Sequence, residues 1–579
     1  MLQSWALSAD VRGLKNSEIL SIIKAQISSW KKNGFSSIKS INKCKIEKVK
    51  KIIKTILDSF GYFDSEVEAN IENERVAFDI TLYQRYKLNK VSLIYMDDKD
   101  YNLNLTTKQI FNIININPNS YVDTKQINDF GTKISTYFEN QGFAFVKVGR
   151  PELIIDKSNK NVEVIYKVTL NNKTIIDKTI INVSNKFLEP FIRNRILWKD
   201  GDVYDKKKIE NTKSILMDSG IFSGIDITPK KNDQNVTTLM LEVSEALKRD
   251  IAIGGKYGTS EKLGGLLSWT HYNIDNKSSK LSTLCDISKK TRTARLKYDT
   301  HDLFYKRQTL ASQVFHKVED GLSYDVWKVG AESILWQDFE NDIKIGVGCL
   351  YEKSKTKDKI EYSNCNPNKK IKFNAFGIPI GFNLDTTDSL LDPQKGLRCS
   401  NMLTPYFGNL RNITVFNSKT SLYIPISKSV LKKPLVIAAY TRIGSVFRNK
   451  KHIVPRDKLF FSGGANSIRG YDYQKIGKVN DDKKAFGGES VFEVGIEPRL
   501  RISEDLGLVT FFEGGNVSSS NVPHLFNRML FSYGFGIRYY TLLGPIRIDL
   551  AFPTKRRMTT NGKRIDSSFN LYISIGQAF

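Results

Sequence analysis

SVFEVGIEPRLRIS, residues 490–503, alternates in polarity along its length. Phe492, Val494, Ile496, Leu500 and Ile502 fall on one face of an extended chain, and Glu493, Glu497, Arg499 and Arg501 fall on the other. Successive side chains of a strand point to opposite faces, so this segment has one apolar face and one face carrying four charges. A soluble β-sandwich also alternates, but it does not ordinarily turn four charges of one strand into its core. A transmembrane β-barrel with a hydrated lumen requires this pattern, with apolar side chains toward lipid and polar ones toward water.

The alternation continues downstream. In LFSYGFGIRYYTL (530–542), Phe531, Tyr533, Phe535, Ile537 and Tyr539 alternate with Ser532, Gly534, Gly536 and Arg538. In GPIRIDLAF (544–552), Ile546, Ile548 and Leu550 alternate with Arg547 and Asp549. The chain closes on FNLYISIGQAF, where Phe569, Leu571, Ile573, Ile575 and Phe579 share a face. From about residue 250 strand follows strand without helical periodicity, which predicts an all-β barrel over 250–579. No run approaches the roughly 18 to 20 apolar residues of a membrane-spanning helix.

The first 249 residues read differently, as a unit repeated three times. KKIIKTILDSFGYFDSEVEANI (50–71), TKISTYFENQGFAFVKVGRPEL (132–153) and IENTKSILMDSGIFSGIDITP (209–229) each run from an amphipathic helix through a glycine into a strand pattern. Gly61, Gly142 and Gly220 lie 81 and 78 residues apart. In the first unit Ile52, Ile53, Ile56, Leu57 and Phe60 form one helical stripe, and Gly61 can take the left-handed conformation that closes a helix. Three α+β domains are expected, at 1–87, 88–172 and 173–249, each in the order helices, glycine, strand, strand.

Composition narrows the function. Of 579 residues 40% are hydrophobic and 26% charged, which is globular. The net charge of +27 divides into +9 for residues 1–249 and +18 for the remainder. There is no basic tail, zinc finger or RNP-type aromatic motif, so anionic lipid or acidic partners are expected and nucleic acid is not. Coding bias toward Lys, Asn and Ile explains the excess equally well. Cys44, Cys285, Cys349, Cys365 and Cys399 are scattered, arguing against a zinc site or a disulfide framework; Cys349 and Cys365 could face each other across a hairpin. The five histidines show no ligand spacing, and no nucleophile elbow or phosphate loop is present. No catalytic residue, metal or cofactor is expected. MLQSWALSAD lacks the character of a secretory signal, which a protein exported to the outer membrane requires.

The repeated α+β unit resembles the POTRA (polypeptide-transport-associated) domain, which implies a sheet edge able to receive a client strand. Ile468-Arg469-Gly470-Tyr471, within FSGGANSIRGYDY, resembles the [VI]RG[FY] motif of the surface-antigen assembly-factor superfamily. The resemblance implies a long extracellular loop folded into the lumen, its arginine facing an acidic residue of an F-x-D-x-G motif. FFEGG supplies Phe511, Glu513 and Gly515, with glutamate for the usual aspartate. LDTTDSLLDPQKGLR (384–398) is similar to the family's hairpin ending in Pro-x-x-Gly, here Pro393 and Gly396, and reads equally as a generic turn. The terminal Phe579 resembles a barrel-assembly signal.

These resemblances imply POTRA repeats followed by an all-β transmembrane barrel of about sixteen antiparallel strands, in the outer membrane of a Gram-negative bacterium with the POTRA domains in the periplasm. Three units in this length fit TamA-like members best. The implied activity is assembly or translocation of unfolded outer-membrane or autotransporter clients through a laterally opening barrel. The implied surroundings are outer-membrane lipid and an inner-membrane-anchored TamB-like partner. The last strand, Phe569–Phe579, is expected to meet the first, around Ile251–Tyr257, at the seam. A two-partner secretion transporter, a BamA-like general insertase and a passive channel are the alternatives.

Overall fold

The computed structural model describes residues 10–14, 16–32, 43–72, 75–97, 105–232, 236–258, 262–339, 342–360, 370–410, 412–426, 434–449, 453–541 and 544–575. Phe579 and Cys365 lie outside them, as does most of the amino-terminal decapeptide.

Each N-terminal unit is a small sheet with two helices inserted after its first strand. In the first unit, strand Asp10–Arg12 precedes helices Ser17–Lys32 and Lys43–Ser59, and strands Glu66–Glu72 and Arg75–Thr81 follow. The leading strand pairs parallel with the last, Val11 opposite Phe78. The second unit opens with Lys87–Tyr95, parallel to Asn161–Thr169, and the third with Ile175–Asn182, parallel to Val236–Glu245. The expected order of helices, glycine and two strands lacked this leading strand. It escaped notice because it precedes the helices by up to a dozen residues and sits where the 80-residue period was cut. Apolar burial follows the stripes: Ile19, Ile23, Ile53, Leu57, Val76, Phe78 and Ile80 form the first core.

The repeat glycines close helices in left-handed conformations, with φ of +83° at Gly61 and +101° at Gly142. Gly61 and Gly142 also join their units to the next by the same relay. The Gly61 carbonyl accepts the Tyr86 N–H at 2.9 Å, and the Tyr86 carbonyl accepts the Val122 N–H at 3.1 Å. Gly142, Thr174 and Tyr204 repeat these contacts at 2.9 Å each. A side chain at Gly61 would crowd Val122, its Cβ only 3.0 Å from that of the valine.

Seventeen described strands, from Arg249–Gly258 to Asn570–Ile575, follow in sequence order in one antiparallel sheet. Lys370–Gly377 and Ile380–Asp385 both lie between Ile343–Asp358 and Gly396–Gly408. They are halves of one strand, broken at Ile378-Pro379 where proline removes a ladder donor, so the seventeen segments occupy sixteen positions. The alternation holds in space: Tyr533, Phe535, Ile537 and Tyr539 are exposed outward, whereas Ser532 and Arg538 are fully buried. No described helix is long and apolar enough to cross a membrane. Cα atoms of the first and last strands come within 8 Å of each other, but no ladder joins them among the described residues. Cys285, Cys349 and Cys399 are free thiols.

Candidate functional site: a buried arginine in the barrel lumen

The segment between strands Leu435–Arg448 and Ser490–Arg501 turns back into the lumen. Its tip is a tight turn, with the Tyr471 N–H donating to the Ile468 carbonyl at 3.2 Å. Ser467 braces the approach, donating through Oγ to Glu493 at 2.7 Å and accepting the Gly463 N–H at 3.0 Å. Ile468, Arg469 and Tyr471 are completely buried. Ile468 and Tyr471 pack with Ile476, and the Tyr471 hydroxyl donates to the Lys555 carbonyl at 3.0 Å.

Arg469 meets Glu513 twice over. Its backbone N–H donates to Oε2 at 2.9 Å, and its Nε donates to Oε1 at 2.8 Å. The guanidinium carbon sits 3.4 Å from the centre of the Phe511 ring, so both side chains of the F-x-E-x-G segment hold the arginine. Phe511 and Glu513 are both buried and share the inward face of strand Leu506–Ser518. Gly515 leaves room for Ile468, since a Cβ there would approach Ile468 Cγ1 to 3.3 Å. Gly470 is tighter still: a Cβ would lie 2.3 Å from Ser532 Cβ and 2.8 Å from the Phe552 carbonyl oxygen.

Sequence reasoning missed two further carboxylates. Glu497 lies 2.8 Å from Arg469 Nη2, and Asp549 lies 2.9 Å from Nη1. Their inward direction was legible from alternation on 490–503 and 544–552, but the register bringing three strands to one point was not. Arg538 contacts Asp549 at 2.5 Å and Arg499 contacts Glu497 at 2.8 Å. Arg547 reaches back to the loop, donating to Asn466 Oδ1 at 2.7 Å and to the Ala465 carbonyl at 3.1 Å. Four buried arginines and three buried carboxylates therefore form one network. A planar guanidinium spreads five donors over three nitrogens and so meets carboxylates on three sides, whereas an ammonium gathers its three donors at a single nitrogen.

A second anchor holds the start of the same segment on other strands. Lys458 Nζ lies 2.8 Å from Glu352, Arg456 Nε lies 2.9 Å from Asp358, and Lys328 pairs with Asp457 at 2.6 Å. The loop is thus clamped at two places on the inner wall.

The remaining expected residues are dispersed. Leu571 and Ile573 face outward on the last strand, half-exposed, with Phe569 just before it. Ile575 ends the described strand opposite Ile546. Pro393 and Gly396 belong to a turn closed by Asp385 and Arg398 at 2.8 Å, with Gly396 at φ +108°. Among the described residues no group of His, Cys, Asp and Glu could hold a metal ion.

Comparison with known proteins agrees with this architecture. The Omp85 superfamily domain matches residues 257–579. The surface antigen variable number repeat, a POTRA unit, matches 100–170 and 175–246. The outer membrane protein assembly factor BamA of Neorickettsia risticii is 22% identical over 88% of this chain and 69% of its own length. That of Neisseria meningitidis serogroup B is 21% identical over 86% of this chain and 69% of its length. BamA from Haemophilus ducreyi lacking POTRA domains 1–3 superposes with a TM-score of 0.56 at 16% identity, covering 85% of this chain and all of that one. With a family domain over more than half its length and POTRA repeats before it, the chain belongs to the Omp85 superfamily, outer-membrane barrels of Gram-negative bacteria with periplasmic POTRA domains that act in protein assembly and secretion.

Proposed function

We propose that this chain inserts outer-membrane client proteins by pairing their strands with an opened seam between Arg249–Gly258 and Asn570–Ile575. One observation carries the reading: the end strands are close in space yet unladdered among the described residues, whereas every other neighbouring pair is laddered. Unpaired backbone groups are costly in hydrocarbon. A client strand satisfies them through its main chain, with little demand on its sequence. The buried arginine network fixes the lumenal loop on strands Ser490–Arg501, Leu506–Ser518 and Gly544–Pro553, and so keeps the wall beside the seam in register while the seam opens. In the second POTRA unit, Leu153, Ile154 and Ile155 stand exposed on the short strand Glu152–Asp156, a surface suited to holding an unfolded client. The chemistry is strand pairing and needs no catalytic residue.

The names of the relatives favour a BamA-like general assembly role. A TamA-like role, serving autotransporter clients with an inner-membrane-anchored TamB-like partner, is the second reading, and the three α+β units favour it.

The test is to lock the seam in a background without native cysteines. A disulfide joining the Ile251–Tyr257 segment to Leu571 or Ile573 should abolish client assembly, and reduction should restore it. A disulfide between Ile548 and Ile573, already opposite each other, should leave assembly intact. Full activity with the seam locked removes the mechanism.

A further inference from the structure

The barrel's outer surface carries a basic cluster on two adjacent strands. Along Ile343–Asp358 the side chains alternate, with Glu352, Ser354 and Thr356 buried inward and Lys353, Lys355 and Lys357 exposed outward. Along Lys370–Gly377, Lys370 and Lys372 point outward in the same way. The register places Lys355 directly opposite Lys372 and Lys357 directly opposite Lys370. Like charges in direct cross-strand pairs repel. Of the nearby carboxylates among the described residues, Asp358 pairs with Arg456 and Asp320 with Lys359, which also reaches Asp325, the residue opposite Lys357 on the neighbouring strand.

The position of the cluster identifies what it meets. Below it on the same strands stand Tyr351 and Phe376, opposite one another and half-exposed, and then Val347 and Ile345. From Ile345 to Lys353 the chain covers about 27 Å along the strand, or about 20 Å along the membrane normal at a typical barrel tilt. That approaches the roughly 25 Å height of an outer-membrane apolar band with its aromatic girdle. The lysines therefore stand at headgroup level, at the end bearing the long loops, which in outer-membrane barrels is extracellular. Lys355 also lies 5.3 Å from the centre of the Trp327 ring. The row that holds Lys355 continues through Trp327 and Val318 to the exposed Arg292, whereas Phe447, Phe531 and Phe552 stand near the same end of other strands.

We propose that Lys353, Lys355, Lys357, Lys370 and Lys372 bind the phosphate-bearing headgroup of an anionic lipid in the outer leaflet, with Trp327 at the acyl boundary. An anion between the two strands relieves the repulsion of the opposed lysines and fixes one face of the barrel to a lipid of defined charge. The inference requires the transmembrane barrel and is independent of the seam mechanism.

The full chain is reconstituted in nanodiscs of phosphatidylcholine and phosphatidylglycerol in equal amounts, and co-purifying lipid is measured by native mass spectrometry after gentle extraction. The protein should retain phosphatidylglycerol over phosphatidylcholine. Replacing all five lysines by glutamine should cut that retention at least about tenfold. Replacing all five by arginine should preserve it, which separates lost charge from lost folding. Heat-modifiable migration in gels confirms that each variant is folded. Equal retention of the two lipids, no loss in the glutamine variant, or displacement of the lipid by millimolar inorganic phosphate would overturn the proposal.

Discussion

Nη2 of Arg469 lies 2.8 Å from Oε2 of Glu497, and Glu497 in turn holds Nε of Arg499 at 2.8 Å and faces Nη2 of Arg538 at 3.5 Å. The motif arginine is therefore one member of a network rather than half of a pair with Glu513. All of these side chains are at most 4% exposed. Burial costs each charge its hydration, so the network holds only while its members compensate one another.

Removing the shared member should hurt most. Arg469→Ala orphans the buried Glu513 and strips one guanidinium from both Glu497 and Asp549, which keep Arg499 and Arg538, whereas Glu513→Ala leaves Arg469 with Glu497 and Asp549. The arginine change should cost on the order of 3 to 5 kcal/mol of barrel stability, and the glutamate change distinctly less. The double variant should be less damaged than the two losses summed. Urea titration of the folded, heat-modifiable form measures all three. Glu513→Asp, which keeps the charge one methylene short, should fall between the wild type and Glu513→Ala. Equal losses for the two alanine variants would mean that Glu513 alone matters to Arg469.

Charge without the planar fork should not suffice. Arg469→Lys keeps the positive charge but cannot reach Glu513, Glu497 and Asp549 together, and it loses the stacking on Phe511. Its urea midpoint and assembly activity should lie nearer those of Arg469→Ala than of the wild type. A lysine variant as stable as wild type would reduce the network to simple charge balance.

Gly470 tests the fit of the loop tip. Alanine there would press on Ser532 and on the Phe552 carbonyl, and overpacking of this kind costs about 1 to 3 kcal/mol. Gly254→Ala, on the first barrel strand, meets nothing within 4 Å and serves as the control. Gel-shift stability of the two variants should differ in that direction.

Much of this is legible in the sequence, and the reasons are physical. Alternation in 490–503, 530–542 and 544–552 gives each side chain a face, because a strand's period is two. The contact of Arg469 with Glu513 rested on family resemblance, since nothing local links residues 44 apart. Glu497 and Asp549 could be turned inward but not brought to Arg469, because register between strands depends on pairing that a single sequence does not display. The same limit hid the parallel leading strands of the α+β units, whose partners lie about 60 to 74 residues away.

The joint between the first two α+β units should respond to acid. Asp64 accepts Lys160 Nζ at 2.8 Å and the Tyr86 hydroxyl at 2.9 Å. These bonds, that from Lys160 foremost, hold its carboxyl below the ordinary value of 3.8, and Asp64 in turn raises Lys160. A carboxyl lowered by folding contributes stability that is present above its ordinary value and lost as pH falls through the lowered one. The raised lysine contributes stability that is lost only as pH rises through its own alkaline titration. At neutral pH both contributions are intact. Hydrogen exchange at the Tyr86 amide, which bonds to Gly61, should therefore quicken below the usual carboxylate range after correction for intrinsic rates. Asp64→Asn should show the faster rate already at pH 7 and little further change in acid. An acid response surviving that substitution would place its origin elsewhere.

The two clamps on the lumenal loop should act in parallel. Lys458→Met removes the contacts with Glu352 and with the Tyr406 hydroxyl at 3.0 Å but leaves the Arg469 network untouched. Arg469→Ala does the reverse and leaves Lys458, Arg456 and Asp457 on their partners. Each single variant should hold residues 453–489 in the lumen, with protease cleavage there only modestly faster than in the wild type. The double variant should be cut faster than the product of the two single effects, because only then are both anchors weakened at once, with Arg456–Asp358 and Lys328–Asp457 left to hold the start of the segment. Limited proteolysis of the protein in bilayers, with cleavage sites mapped by mass spectrometry, gives the three rates. If Arg469→Ala alone exposes the whole segment, the Lys458 anchor contributes nothing to its retention, and the motif arginine is the single hold on the loop.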